Sequence, residues 1–153
     1  MRLTTALLIA LCLVSVGTVW GESIVTATGT ATLTPGPTED NGVRKVTVAW
    51  ISAASGGVTS SIKNVYGSIA RVAMNPGAAS PTASYDMTLG DEDAFDILDG
   101  GGANLSATTN SNVWISNATN GYQGFDVAGH LLLTISNAGN AKAGEIRIYM
   151  KVR

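Results

Sequence analysis

Histidine and cysteine occur only once each in this 153-residue chain, as His130 and Cys12. Structural zinc sites use several Cys or His ligands, so the sequence predicts no zinc site. Nucleophilic catalysis needs a nucleophile, a base and an orienting group, and the chain has no Gly-x-Ser-x-Gly motif. We therefore expect His130 to be an outward-facing strand residue and the protein not to be an enzyme.

Charge is also scarce, because charged residues make up 13% of the chain and the formal net charge is −2. No basic cluster exceeds the pair Arg44-Lys45, so the electrostatic signature of a nucleic-acid-binding protein is missing. Low charge together with 18 glycines is untypical of a helical protein and typical of short strands joined by turns. These features predict an all-β protein without a nucleic-acid partner.

Long hydrophobic runs are confined to the N-terminus, where residues 3–21 follow Arg2 without a charge. One basic residue, an apolar centre and a small residue before Glu22 predict a signal peptide over residues 1–21 and one domain over residues 22–153. A second interpretation is an uncleaved membrane anchor, which would limit membrane contact to residues 1–21. A third is a start codon upstream of the natural one, which would add non-native residues. Cleavage after Gly21 would remove Cys12, so the mature domain would hold no disulfide.

Alternating apolar and polar residues recur at intervals of roughly ten residues in the rest of the chain, which is typical of a sandwich or jelly roll. We predict a single antiparallel β-sandwich, jelly-roll-like, with seven to nine strands. Residues 128–136 and 144–152 alternate most clearly and are predicted to form an antiparallel hairpin. In residues 62–74 the alternation places Tyr66 on the same face as Val72 and Met74.

The acidic stretch, residues 84–102, combines an alternating strand, an acidic turn and three glycines. Its turn offers Asp91, Asp93 and Asp96 as oxygen ligands for calcium, the one cofactor that the sequence suggests. The EF-hand spacing is not met, because Phe95 and Asp96 occupy its fifth and sixth positions. A carboxylate pair for glycoside hydrolysis would need an aromatic groove, and we expect none. The simpler interpretation is that these acids keep a strand edge soluble. The acidic residues of the stretch are Asp86, Asp91, Glu92, Asp93, Asp96 and Asp99.

Large aromatic side chains are few, and two tryptophans fall within predicted strands. We expect Trp50 and Trp114 to be core residues. Tyr122 and Phe125 lie in a glycine-bounded loop, residues 121–125, and are candidates for a contact surface, with local packing as the alternative.

Residues 43–153 resemble a group of small tailed-bacteriophage virion proteins, described as structural, decoration or head-fibre-like proteins. The likeness lies in five segments: RVAMNPG from Arg71, PTASYDMTL from Pro81, DED from Asp91, FDIL from Phe95 and LLLTISNAGNAK from Leu131. It implies a non-enzymatic β-sandwich of the virion that self-associates or binds a capsid or tail lattice, without a small-molecule substrate. Residues 1–21 depart from that pattern. The alternative is a secreted or cell-surface bacterial binding module that recognises a glycan or a protein with the help of calcium. Its location would be secreted or periplasmic.

Overall fold

The computed structural model describes residues 21–38, 42–115 and 124–152. They form eight strands, all paired antiparallel, and include no helix long and apolar enough to cross a membrane. The all-β prediction and the predicted number of strands are confirmed. The strands are β1 (Ser23–Thr28), β2 (Thr30–Thr38), β3 (Val43–Ile51), β4 (Val58–Pro76), β5 (Asp86–Gly90), β6 (Ser111–Trp114), β7 (Phe125–Ser136) and β8 (Ala143–Lys151).

The long strand β4 connects two layers of sheet. Its first part pairs with β1 and β7, and its second part pairs with β6 and β8. Beyond β7 lies β5, and beyond β8 lie β3 and then β2. We call β1, the first part of β4, β7 and β5 layer A. Layer B comprises β6, the second part of β4, β8, β3 and β2.

The two layers pack face to face over one core. Trp50 in β3 and Tyr85, just before β5, belong to opposite ends of the strand order, yet their ring centroids are 6.0 Å apart. One cluster of buried side chains contains residues from both layers. Each fully buried aliphatic or aromatic side chain in it contributes about 1.5–3 kcal/mol. The predicted β-sandwich is therefore confirmed, and Trp50 is a core residue as expected.

Two bulges in β4 reverse its alternation of inward and outward side chains. The register against β7 shifts at Asn64, whose φ is 60°, and the register against β8 shifts at Ala70. An inserted residue moves the following side chains to the opposite face. Tyr66, which lies between the two bulges, is consequently 57% exposed, while Val72 and Met74 are buried. The prediction that these three residues share a face was wrong.

Strands β7 and β8 do not form the predicted hairpin, because they flank β4 on opposite sides. The connection between them enters the core at Ala138, which is buried and donates its backbone N–H to the Gly56 carbonyl. The Ser52 hydroxyl then fixes the connection by accepting the backbone N–H of Lys142 at 2.9 Å. The connection thus leads from layer A to layer B. The alternation of residues 128–136 and 144–152 also predicts which side chains share a face. Val152, on the same predicted face as the others, is 37% exposed. The residues of that face that are buried are Leu131, Leu133, Ile135, Ile146, Ile148 and Met150.

Candidate functional site

The acidic stretch covers the outer edge of β5. On one side β5 pairs with β7, and on the other side the chain returns along it. Met87 donates its backbone N–H to the Gly102 carbonyl at 2.8 Å, and Ile97 donates to the Leu89 carbonyl at 2.8 Å. The buried side chain of Leu98 packs beneath this return. Because these backbone groups are satisfied internally, β5 offers little edge for pairing with another chain.

Asp91 organises the turn that follows β5. Its Oδ1 accepts the backbone N–H groups of Asp93 at 3.0 Å and Phe95 at 2.9 Å. Bonds from an N–H group to a charged carboxylate are stronger than bonds between neutral groups. The turn is therefore held in one conformation by the first of the three predicted calcium ligands.

Asp96 has a similar role at the end of the turn. Its Oδ1 accepts the backbone N–H groups of Leu89 and Leu98, and its Oδ2 accepts that of Gly100. Within residues 21–38, 42–115 and 124–152, no group of three His, Cys, Asp or Glu side chains is placed to hold a metal ion. Calcium binding by Asp91, Asp93 and Asp96 stays a prediction.

Glu92 extends from the turn across the surface of β7. Its carboxylate lies over Gly129, and its Oε2 is 3.8 Å from Nδ1 of His130. A Cβ at Gly129 would lie 2.7 Å from that oxygen, so the absence of a side chain there makes room for Glu92. His130 is partly exposed on the outer face of layer A, as its place in the alternation predicts.

Phe125 stacks on Phe95, with ring centroids 5.6 Å apart and planes 3° from parallel. Phe95 is 56% exposed, so the pair forms an aromatic surface beside the acidic turn. Tyr122, the other predicted contact residue, lies outside the described residues.

A surface that the sequence did not predict crosses layer B. Trp114, Arg71, Tyr149 and Lys45 are paired in this order on β6, β4, β8 and β3, and we call them the aromatic–cationic row. The Arg71 guanidinium lies 5.3 Å from the Trp114 ring centroid and 3.9 Å from that of Tyr149. Trp114 is 56% exposed, so its prediction as a core residue was wrong. Strand β6 has only four residues, too few for its alternation to show which face is buried.

A concavity of about 490 Å³ opens on the same outer face of layer B. Its polar lining includes Thr32, Asn75 and Glu145, and Trp50 also borders it. The buried indole N–H of Trp50 has no hydrogen-bond partner within the part of the chain that the structure describes. A buried donor without a partner is costly, and this one is enclosed in the protein rather than exposed to the concavity.

Glu22 and Arg44 form an ion pair at the start of the sandwich. The Glu22 side chain is 4% exposed and that of Arg44 is 21% exposed. Burial lowers the pKa of Arg44 from its ordinary value. Arg44 directly precedes Lys45 of the row in β3, but its guanidinium donates to Sδ of the buried Met150 at 3.9 Å, whereas Lys45 is exposed.

A scan against models of known protein families finds no match to this chain, and a search of the curated proteins finds none either. The sequence resemblance and the surfaces described above are therefore the features that point to a function.

Proposed function

We propose that this chain is a non-enzymatic structural protein, a virion-type β-sandwich subunit that assembles on or with a phage capsid or tail. The observation on which this proposal depends is the aromatic–cationic row, which presents Trp, Arg and Tyr outward on paired strands. Residues of these three types supply most of the binding energy in many protein interfaces. The resemblance of residues 43–153 to phage virion proteins supports the same function.

Large apolar side chains are exposed on both layers, although the core between them is filled. Single exposed residues of this kind are normal, whereas contiguous ones such as the Phe95–Phe125 pair and the rings of the row are typical of a contact surface. Several of these side chains project from strands, so little conformational freedom would be lost on binding. The exposed large hydrophobic residues are Val25, Ile51, Tyr66, Phe95, Trp114 and Val152.

Two strand edges are unsuited to uncontrolled pairing. The return of residues 96–105 covers β5, and β2 contains Pro35 and Pro37, which have no backbone N–H to donate. Association through faces and loops, with defined geometry, is what a lattice subunit needs. These features support assembly into an ordered particle.

Particle proteomics tests the proposal. Virions are purified on a density gradient from lysates of the source host and analysed by quantitative mass spectrometry. We expect the full chain to co-sediment with the particles at a fixed ratio to the major capsid or tail protein. A chain found only in the periplasm or medium, with Glu22 as its N-terminal residue, would contradict a virion role.

The second candidate is a secreted or cell-surface binding module that recognises a glycan. The concavity beside Trp50 favours it, because threonine, asparagine and carboxylate side chains suit sugar hydroxyl groups. Calorimetry with a panel of soluble oligosaccharides tests this function. We expect Asn75→Ala and Glu145→Gln each to weaken binding, with Ser106→Ala, in the loop after the acidic stretch, as the matched control. No heat of binding with any oligosaccharide would exclude a glycan from this concavity.

A further inference from the structure

We infer that copies of this chain associate head to tail, the acidic turn of one copy binding the aromatic–cationic row of the next. The acidic turn comprises residues 91–95. This inference rests on the proposed structural role and identifies the partner as a second copy of the chain.

The charges of the protein are separated between the two surfaces. Six of the 11 acidic residues lie in the acidic stretch, which contains β5 of layer A and the return that covers its edge. The strands of layer B carry a single carboxylate, Glu145, and it is bonded to Arg147 at 2.5 Å. Lys45 and Arg71 therefore give the row itself a positive charge on the outer face of layer B.

Within the described residues, no residue of the row forms an ion pair with the acidic turn. The row faces outward from layer B, whereas the turn lies at the end of layer A and contacts β7 through Glu92. The ion pairs Glu22–Arg44, Glu92–His130 and Glu145–Arg147 do not use a residue of the row. Asp93, Arg71 and Lys45 take part in none of these pairs, and the Glu92 side chain is 57% exposed although it contacts His130.

The chemistry of the turn matches that of the row. Neighbouring strands lie about 4.8 Å apart, so four residues on four strands extend over about 14 Å, enough for a short turn. Asp93 and Glu92 would pair with Arg71 and Lys45, because guanidinium groups bind carboxylates in a planar, bidentate geometry. Exposed Phe95 would add an aromatic contact to the rings of the row.

The two patches differ, so the contact is heterologous, and repetition produces a ring or a filament. A second copy is favoured over other anionic partners because the complementary surface is part of the same chain. Every copy in an assembly brings one row and one turn.

Sedimentation velocity of the full-length chain tests the inference with two variants. Arg71→Gln removes the guanidinium of the row, and Glu92→Gln with Asp93→Asn removes two carboxylates of the turn, while Asp91 is kept because its carboxylate holds the turn together. The replacements are neutral, so the two altered surfaces do not attract each other. Wild type should associate with increasing concentration and dissociate between about 50 mM and about 1 M salt, because salt screens exposed charges. Each variant alone should associate at least about tenfold more weakly. Lys142→Gln, in the connection between β7 and β8, is the charge-matched control and should behave as wild type.

Mixing the two variants is the decisive measurement. One variant retains an intact turn and the other an intact row, so the mixture should form heterodimers and nothing larger. A mixture that stays monomeric, or a wild-type chain that is monomeric at every concentration, overturns the inference. Circular dichroism confirms that each variant is folded. A monomeric chain that still co-sediments with virions would overturn this inference but not the proposed function. Head-to-tail association of a chain that is absent from virions would overturn the proposed function but not this inference.

Discussion

Single side chains show how differently charges are used in the interior and on the surface of this sandwich. Glu22 and Arg44 are enclosed, whereas the Glu145–Arg147 pair is about one-third exposed or more at each end. A buried ion pair adds little net stability, but loss of one partner leaves an uncompensated charge in the interior. An exposed pair contributes little net stability, and the loss of one of its partners costs little.

Replacement of Arg44 by Met should therefore lower the free energy of unfolding by about 3–5 kcal/mol, since Glu22 loses its partner. Arg147→Met is the matched control and should cost no more than about 1 kcal/mol. Urea denaturation measures both. The double variant Glu22→Gln, Arg44→Met should recover part of the loss. Equal losses for the two single variants would show that the Glu22 carboxylate is not enclosed.

Tyr85 gives stability a dependence on alkaline pH. Burial raises the pKa of its phenol, so the folded protein retains a proton that the unfolded chain releases above about pH 10. The contribution of Tyr85 is complete below that pH and is lost as the pH rises through its folded pKa. We expect Tyr85→Phe to reduce the fall in unfolding free energy between about pH 8 and about pH 11. Identical curves for wild type and Tyr85→Phe would contradict the assignment.

At the scale of strands, close contact between neighbours depends on positions without a side chain. Trp50 in β3 packs on the backbone of β8 at Gly144, where a Cβ would overlap the indole and lie 2.7 Å from Cε2. The acidic stretch is a second example, because its return depends on the carboxylate of Asp96 rather than on strand pairing alone.

Gly144→Ala should destabilise the protein by about 1–3 kcal/mol, because Trp50 has to move within a packed core. Gly90→Ala in β5 is the control, since a Cβ there would meet its nearest neighbour at an ordinary 3.7 Å. Thermal and urea unfolding report the difference. A cost at Gly144 no larger than that at Gly90 would mean that the indole does not lie against β8.

Asp96→Ala distinguishes the backbone role of this carboxylate from a role in binding calcium. Loss of the acceptors should cost about 1–3 kcal/mol, and the loss should be the same in calcium and in a chelator. A calcium site would instead stabilise only wild type, by about 2.7 kcal/mol at 100 times the dissociation constant. The melting midpoints of both proteins, with and without chelator, decide between the two roles.

For the molecule as a whole, pairing between distant parts of the chain governs folding. β3 pairs with β8 and β1 pairs with β4, so most of the sandwich forms only when remote segments meet. Closing such long loops slows folding relative to helical proteins. The same arrangement brings Trp114, Arg71 and Tyr149 together from three separate segments.

Refolding should accordingly take milliseconds to seconds, as in other all-β domains. Stopped-flow fluorescence can follow Trp50 in a Trp20→Phe, Trp114→Phe variant, which leaves the buried indole as the only tryptophan. Dilute protein keeps association out of the signal. Refolding in microseconds would contradict a rate limited by long-range pairing.

The sequence by itself determined the all-β class, the inward residues of β3, β7 and β8, and the position of the acidic stretch. These properties depend on alternation with a period of two and on local turn chemistry, which short segments specify. Only the tertiary structure decided that β4 separates β7 from β8, that Tyr66 and Trp114 face outward, and that the aromatic–cationic row exists. Strand partners and bulges depend on contacts between distant residues, and one inserted residue reverses every face that follows it.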